Sequence, residues 1–146
     1  MILPIDDALR TYLRANMTTL TGVGNDGDGS PADEIAIYID KYPPGCQPTA
    51  IMITREGGTA DSDIRLQDNA MIRIWSRDAD FLKARTVMDR IDQLLHHLVL
   101  KDIDDYVRVC SCQRNSGPQR QDSESNDLER VHCLYDVIAV PNPESL

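Results

Sequence analysis

The stretch Ile64-Arg-Leu-Gln-Asp-Asn-Ala-Met-Ile-Arg-Ile-Trp-Ser76 alternates between apolar and polar residues over most of its length. Alternate side chains of a β-strand point to opposite faces of a sheet. The apolar set consists of Ile64, Leu66, Ala70, Ile72 and Ile74, and the polar set of Arg65, Gln67, Asn69, Arg73 and Trp75. Asp68 interrupts the apolar set, so we expect a bulge or bend near Asp68 and Asn69. The pattern predicts a strand with one buried face and one more polar face.

A long amphipathic helix is predicted directly after this strand. Apolar residues recur with a period of about 3.6 residues; they are Phe81, Ala84, Val87, Met88, Ile91, Leu94, Leu95 and Leu98. Asp78 is a suitable N-cap, because its carboxylate can accept hydrogen bonds from the first free backbone N–H groups. The sequence therefore predicts a helix over residues 79–99.

Upstream, the sequence predicts another helix and two short strands. The first helix begins at Pro4 and ends by Gly22, with an apolar stripe at three- and four-residue spacing. Alternating isoleucines predict a strand over residues 35–39. A second strand over residues 50–54 is expected to end before Gly57 and Gly58.

Downstream, strands are predicted over Tyr106–Gln113 and Val131–Val140. The polar segment between them, residues 113–130, and the Gly- and Asp-rich segment 22–34 predict two flexible loops. In chain order the elements are a helix, three strands, the long helix and two strands. This order predicts one α+β domain over residues 1–146, a two-layer α/β sandwich with a mixed or antiparallel sheet of about five strands and both helices packed on one face.

The net charge of the chain and its distribution bear on whether the protein binds nucleic acid. The chain has 146 residues and a formal net charge of −9, with the excess acid concentrated in residues 1–40 and 103–146. A grip on a phosphate backbone needs clustered Lys and Arg, so this balance disfavours nucleic-acid binding. No apolar run has the roughly 20 residues of a membrane span, and residues 1–4 do not resemble a signal peptide. The four cysteines are expected to be free thiols.

Metal-binding patterns fail at the positions that matter. Asp26, Asp28 and Ser30 resemble the start of a calcium loop, but Pro31 replaces the required glycine and Ile37 the bidentate glutamate. Cys110 and Cys112, with Cys133 and His132 downstream, lack the usual spacing of a structural zinc site. Adjacent His96 and His97 point about 100° apart on a helix and cannot easily hold one ion. We expect no metal and no cofactor.

Catalytic patterns are equally weak. The sequence contains neither a G-x-S-x-G nucleophile elbow nor a phosphate-binding loop. Acidic pairs such as Asp104-Asp105 lie in polar surroundings that would not raise a pKa for acid–base work. The sequence therefore predicts no catalytic residue and no enzyme.

Five segments carry a resemblance to a known group of proteins. They are Tyr42–Cys46 (YPPGC), Pro48–Gly58 (PTAIMITREGG), Met71–Ser76 (MIRIWS), Met88–Leu95 (MDRIDQLL) and Tyr135–Pro141 (YDVIAVP). In their order along the chain and in their general residue pattern, they resemble the tail-terminator and minor-capsid (neck) proteins of tailed phages.

The resemblance implies a structural virion protein without enzymatic activity. Such a protein forms a homo-oligomeric ring, commonly a hexamer, at the head-proximal end of the tail tube. The ring ends tube growth and joins the tail to the head. The implied partners are further copies of the chain, the tail tube protein and the head–tail connector protein, and DNA passes through without specific binding. The implied location is the neck of the virion, with the host cytoplasm as the site of assembly.

We expect the subunit interface either at an exposed sheet edge or on the polar face of the central strand. Arg65, Arg73 and Trp75 share that face, and Arg55 and Glu56 are further candidate interface residues. A tryptophan flanked by arginines is typical of an interface anchor, although Trp75 could instead be a core residue at the end of its strand.

The acidic loops are expected to line the lumen of the ring or to order on assembly. The residues concerned in the second loop are Arg114, Arg120, Asp122, Glu124 and Asp127. Negative walls would repel passing DNA and let it slide; otherwise both loops are solvated linkers. Two alternatives to a terminator stay open. One is a head–tail connector, stopper or other neck protein, and the other is a cytosolic adaptor or binding module.

Overall fold

The computed structural model describes residues 3–17, 35–60, 67–121 and 128–143. Within them lie two helices, α1 (Ile5–Asn16) and α2 (Phe81–Leu95). The six strands are β1 (Ala36–Ile39), β2 (Ala50–Ala60), β3 (Asp68–Asp78), β4 (Leu98–Asp102), β5 (Val107–Gln121) and β6 (Glu129–Pro141).

The strands form one mixed sheet in the order β1-β2-β3-β6-β5-β4. Only β1 and β2 run parallel, and every other neighbouring pair is antiparallel. The predicted α+β class and mixed sheet are confirmed, but the described sheet has six strands where about five were expected.

The centre of the sheet is the pair β3 and β6. Asp68–Asp78 pairs residue for residue with Glu129–Ala139, without a bulge. Directly opposed residues of antiparallel strands share a face. Ile72 lies opposite Tyr135 and Ile74 opposite Cys133 on one face, which we call the core face.

Both helices contribute to one apolar core together with the core face. Packed contacts join α1 to β1 and β2, and α2 to β3, β5 and β6. The core includes Leu9 and Leu13 of α1, Met88 and Ile91 of α2, and Tyr135 of β6, all fully buried. Burial of each such side chain stabilises the fold by roughly 1.5–3 kcal/mol relative to an exposed position.

A charged group is fully buried next to this core. The Asp68 carboxylate is fully buried and accepts two hydrogen bonds from the Arg55 guanidinium, at 2.8 and 2.7 Å. It also accepts the backbone N–H of Leu3 at 2.9 Å, which fixes the entry to α1. Burial raises the pKa of Asp68, but the bonds from Arg55 and Leu3 outweigh it and leave the pKa below its ordinary value. The bulge predicted at Asp68 and Asn69 is therefore absent from β3, because Asp68 is accommodated in the regular strand by its ion pair with Arg55. The register shifts in the neighbouring strand β2 instead, between Arg55 and Gly57.

Replacing Asp68 by Asn should lower the free energy of unfolding by about 1–3 kcal/mol, because charge-assisted hydrogen bonds to Arg55 are lost in a buried place. Urea unfolding measures the loss. Asp102→Asn is the matched control, since Asp102 binds Arg108 at the exposed surface and such pairs contribute little. Equal midpoints for Asp68→Asn and the wild type would contradict the assigned role.

The predicted helix 79–99 is too long at both ends. Asp80, rather than Asp78, caps α2 by accepting the N–H of Leu82, while Asp78 ends β3. The helix stops at Leu95 because His96 is extended and His97 adopts a left-handed φ of 69°. The residues that follow form β4, which was not predicted.

Other strand ends also differ from the prediction. β2 continues through Gly57 and Gly58 to Ala60, so the glycines do not end it. β5 continues to Gln121 rather than Gln113, and β6 starts at Glu129, so much of the predicted loop 113–130 is paired strand. Gly117 fits this hairpin because a Cβ there would lie 2.6 Å from the backbone oxygen of His132. The helix end predicted by Gly22 and the loop 22–34 lie outside the described residues, but α1 itself ends at Asn16.

Candidate assembly interface

The second face of the sheet, which we call the outer face, carries the other alternate residues of each strand. Its central row runs across five strands through Tyr38, Met52, Trp75, His132 and Gln119. The buried Leu134 also lies on this face, opposite Arg73, and is not part of the core cluster around the helices. The outer face thus combines aromatic, apolar and charged side chains.

Arg73 organises the centre of the outer face. Its Nε donates to Glu56 Oε1 at 2.8 Å, and its Nη1 lies 2.9 Å from His132 Nδ1. The His132 ring lies 4.5 Å from the Trp75 ring, and the Arg73 guanidinium lies 5.8 Å from the same indole. These contacts hold Trp75 in a fixed, partly exposed position, as an interface anchor requires.

His132 is held neutral in this cluster. Burial lowers its pKa below the ordinary value of 6.5, and the positive charge of Arg73 lowers it further, with Glu56 acting in the opposite direction. Because the Arg73 guanidinium can only donate, His132 Nδ1 is the acceptor, which leaves the ring proton on Nε2. The arrangement is therefore specific to one protonation state of the ring.

Acidification should destabilise the chain through His132. Its folded-state pKa is depressed, so between that pKa and 6.5 the unfolded chain binds the proton more readily and stability falls as the pH falls. Urea unfolding at pH values from 7.5 down to 5.5 should show this slope, and His132→Gln should reduce it. Parallel pH profiles for the wild type and the variant would contradict the assignment.

Arg77 fixes one end of the outer face. Its guanidinium lies 3.8 Å from the Tyr42 ring and donates to the backbone oxygens of Pro48 and Gln47, at 3.0 and 2.9 Å. Burial raises the pKa of Tyr42 to about 12, although the charge of Arg77 opposes the shift. The segment before β2 is thereby folded onto the end of the sheet, next to the row that contains Trp75.

The predicted interface residues divide between the two faces. Arg73, Trp75 and Glu56 lie together on the outer face, where Glu56 is the extra residue at the bulge of β2. Arg55 lies on the core face, bound to Asp68. Arg65 lies outside the described residues. His132 was missed as part of this face, although its position on alternate residues of β6 could have revealed it.

The predicted lumen residues divide as well. Arg114 and Arg120 belong to strand β5 rather than to a loop. Arg114 binds Asp92 of α2 at 2.8 Å, and Arg120 binds Glu129 at 2.9 Å and lies over the Phe81 ring. Asp122, Glu124 and Asp127 lie outside the described residues.

The excess negative charge is confined to a few segments. The described residues carry fourteen acidic and fourteen basic side chains, so the net charge of −9 belongs to the remainder, with ten acids and Arg65. Segments 22–34 and 122–127 hold seven of those acids and no base. They join the sheet at the same end, because one row of paired residues connects Ala36 to Gln121.

The side chains of the described residues were compared with what a metal site or a membrane span requires. No three His, Cys, Asp or Glu side chains among these residues could hold a metal ion. The buried Tyr135 hydroxyl donates to Asp92 at 2.9 Å, which links α2 to β6. No helix in these ranges has the length and apolar character that crossing a membrane needs. The fold is that of an α+β protein with a mixed six-stranded sheet.

Comparison with known proteins gives the family. The model of the bacteriophage tail terminator protein family matches residues 19–132, and the chain belongs to that family. This is a family of structural virion proteins. A chain from a solved structure described as the virion of a native gene transfer agent particle is similar in fold, with a TM-score of 0.62 and 18% identity. That match covers 94% of this chain and 95% of the other. Comparison with curated proteins finds no match.

Proposed function

We propose that this protein is a tail terminator that closes the head-proximal end of a phage tail tube. Copies of the chain form a ring, which is commonly a hexamer in proteins of this kind. The ring stops growth of the tube and joins the tube to the head connector. The protein performs no reaction. It assembles in the host cytoplasm and remains in the neck of the virion.

The observation that carries the proposal is the family match over residues 19–132, together with the form of the outer face. Among the described residues, the helices pack with the core-face residues, and Met52, Arg73 and Trp75 of the outer face are partly exposed. Trp75 is held there by His132 and Arg73. A ring requires two different surfaces on each subunit, and the outer face with Trp75, Arg73 and Glu56 is the first of them.

The acidic segments face the lumen in this proposal. Segments 22–34 and 122–127 leave the sheet at one end and carry seven acids without a base. Directed toward the axis of the ring, they would repel the DNA backbone and let it pass without specific contacts. Residues 113–121 lie in strand β5, so the proposed ordering on assembly is restricted to residues outside that strand.

Removing the protein should leave tail length uncontrolled. A phage that carries a stop codon in this gene should produce tails of variable, excessive length that are not joined to heads, because nothing ends tube growth. Electron microscopy of the lysate measures tail length and attachment. Complementation with the wild-type chain should restore both.

The outcomes separate the candidate roles. Tails of normal length that lack heads would indicate a connector or stopper instead of a terminator. Tails of normal length joined to heads would contradict any role in the neck. A complementing variant with Asp122, Glu124 and Asp127 changed to Lys should restore tail length but slow DNA passage, and unchanged ejection would contradict the lumen assignment.

A further inference from the structure

Strongly exposed apolar side chains cluster at the border of the sheet formed by β4. Among the described residues, four large hydrophobic side chains are strongly exposed, and three of them lie between positions 99 and 106. Val99 and Leu100 of β4 are 61% and 72% exposed, and Tyr106 after the β4–β5 turn is 65% exposed. The fourth, Leu82, lies on α2. A cluster of this kind marks a protein contact more often than scattered exposed residues do.

The rest of the same border is polar. β4 pairs only with residues 108–112 of β5, so in the described sheet the later part of β5 forms the border itself. Its residues from Asn115 to Gln121 are polar or charged apart from Gly117 and Pro118, and Pro118 has no N–H to offer to another strand. These are features that protect a sheet border from association. An apolar contact along this border is therefore confined to β4 and the turn that follows.

We propose that the β4 segment, defined as residues 98–106, docks onto the outer face of a second copy of this chain. The inference rests on the proposed function, since a ring needs a second surface that differs from the first. The β4 segment supplies that surface, and the outer face around Trp75 receives it. Repetition of the contact from copy to copy builds the ring.

The two surfaces match in chemistry. The exposed Val99, Leu100 and Tyr106 offer apolar area to the partly exposed Trp75 and Met52 of the neighbour.

Charge also favours this pairing. The turn of the β4 segment holds Asp102, Asp104 and Asp105 against one base, Lys101, and Arg108 binds Asp102. The row of the outer face next to Trp75 carries the partly exposed cation Arg130, whereas Arg77 opposite it is buried and bound to the segment before β2. A symmetric contact between two β4 segments would instead bring two acidic turns together, and it would close as a dimer.

A pair of matched variants tests the apolar part of the contact. Leu100→Lys introduces a charge in the β4 segment, and Leu82→Lys introduces the same charge at a site of nearly equal exposure, 71%, on α2. Mass photometry over a dilution series gives the concentration at which half of the chains are assembled. Leu100→Lys should raise that concentration by about tenfold or more, which corresponds to about 1.4 kcal/mol per contact. Leu82→Lys should leave it nearly unchanged, and circular dichroism checks that both variants are folded.

A charge exchange tests which surface receives the β4 segment. Asp105→Arg and Arg130→Glu should each weaken assembly, and the chain with both changes should recover much of it. Failure to recover would overturn the outer face as the acceptor. If Leu100→Lys assembles like the wild type, or if Leu82→Lys loses as much assembly as Leu100→Lys, the assignment of the β4 segment as the docking surface is overturned. If the wild-type chain stays monomeric at every concentration and on tail tubes, the proposed function is contradicted as well. If the Leu100→Lys variant forms the ring as the wild type does, only this inference is contradicted.

Discussion

The unbroken pairing of β3 with β6 determines which side chains lie on the core face and which lie on the outer face. Eleven consecutive residue pairs, from Asp68–Ala139 to Asp78–Glu129, fix the alternation of both strands. A slip of one residue would exchange the two faces, because side chains alternate with a period of two. The register directs Ile72 and Ile74 to the helices and directs Arg73 and Trp75 outward. The apolar core and the outer face are thus two consequences of one alignment.

The two faces of the sheet differ in the side chains that cover them and in the contacts of their polar groups. On the core face, the helices supply apolar area, and the fully buried carboxylate of Asp68 is satisfied by Arg55 and Leu3. On the outer face, Arg73 connects Glu56 to His132 and holds Trp75 beside them. The first arrangement stabilises the single chain. The second leaves a rigid, partly exposed surface, which is what a subunit of a larger assembly must present.

Periodicity predicted much of this fold, and it failed where another interaction decided the backbone. The pattern found α2, the core face of β3 and the last strand. It missed β4, because Leu98 continues the helical spacing and nothing local signals the left-handed turn at His97. It missed the far half of β5, whose polar sequence is ordered by pairing with β6 and by the bond of Arg114 to Asp92. In the candidate site, alternation placed Arg73 and Trp75 on one face, but the binding of Arg55 to Asp68 on the core face joins two strands and is not visible in the local sequence.

In the proposed ring, the outer face is buried between copies of the chain. Trp75 is the sole tryptophan of the sequence, so its fluorescence reports on that face without labelling. The most direct measurement is its emission spectrum across the concentration range in which native mass spectrometry detects assembly. As the ring forms, the emission maximum should shift to shorter wavelength and iodide quenching should fall. Assembly with an unchanged spectrum and unchanged quenching would show that Trp75 is not buried between copies.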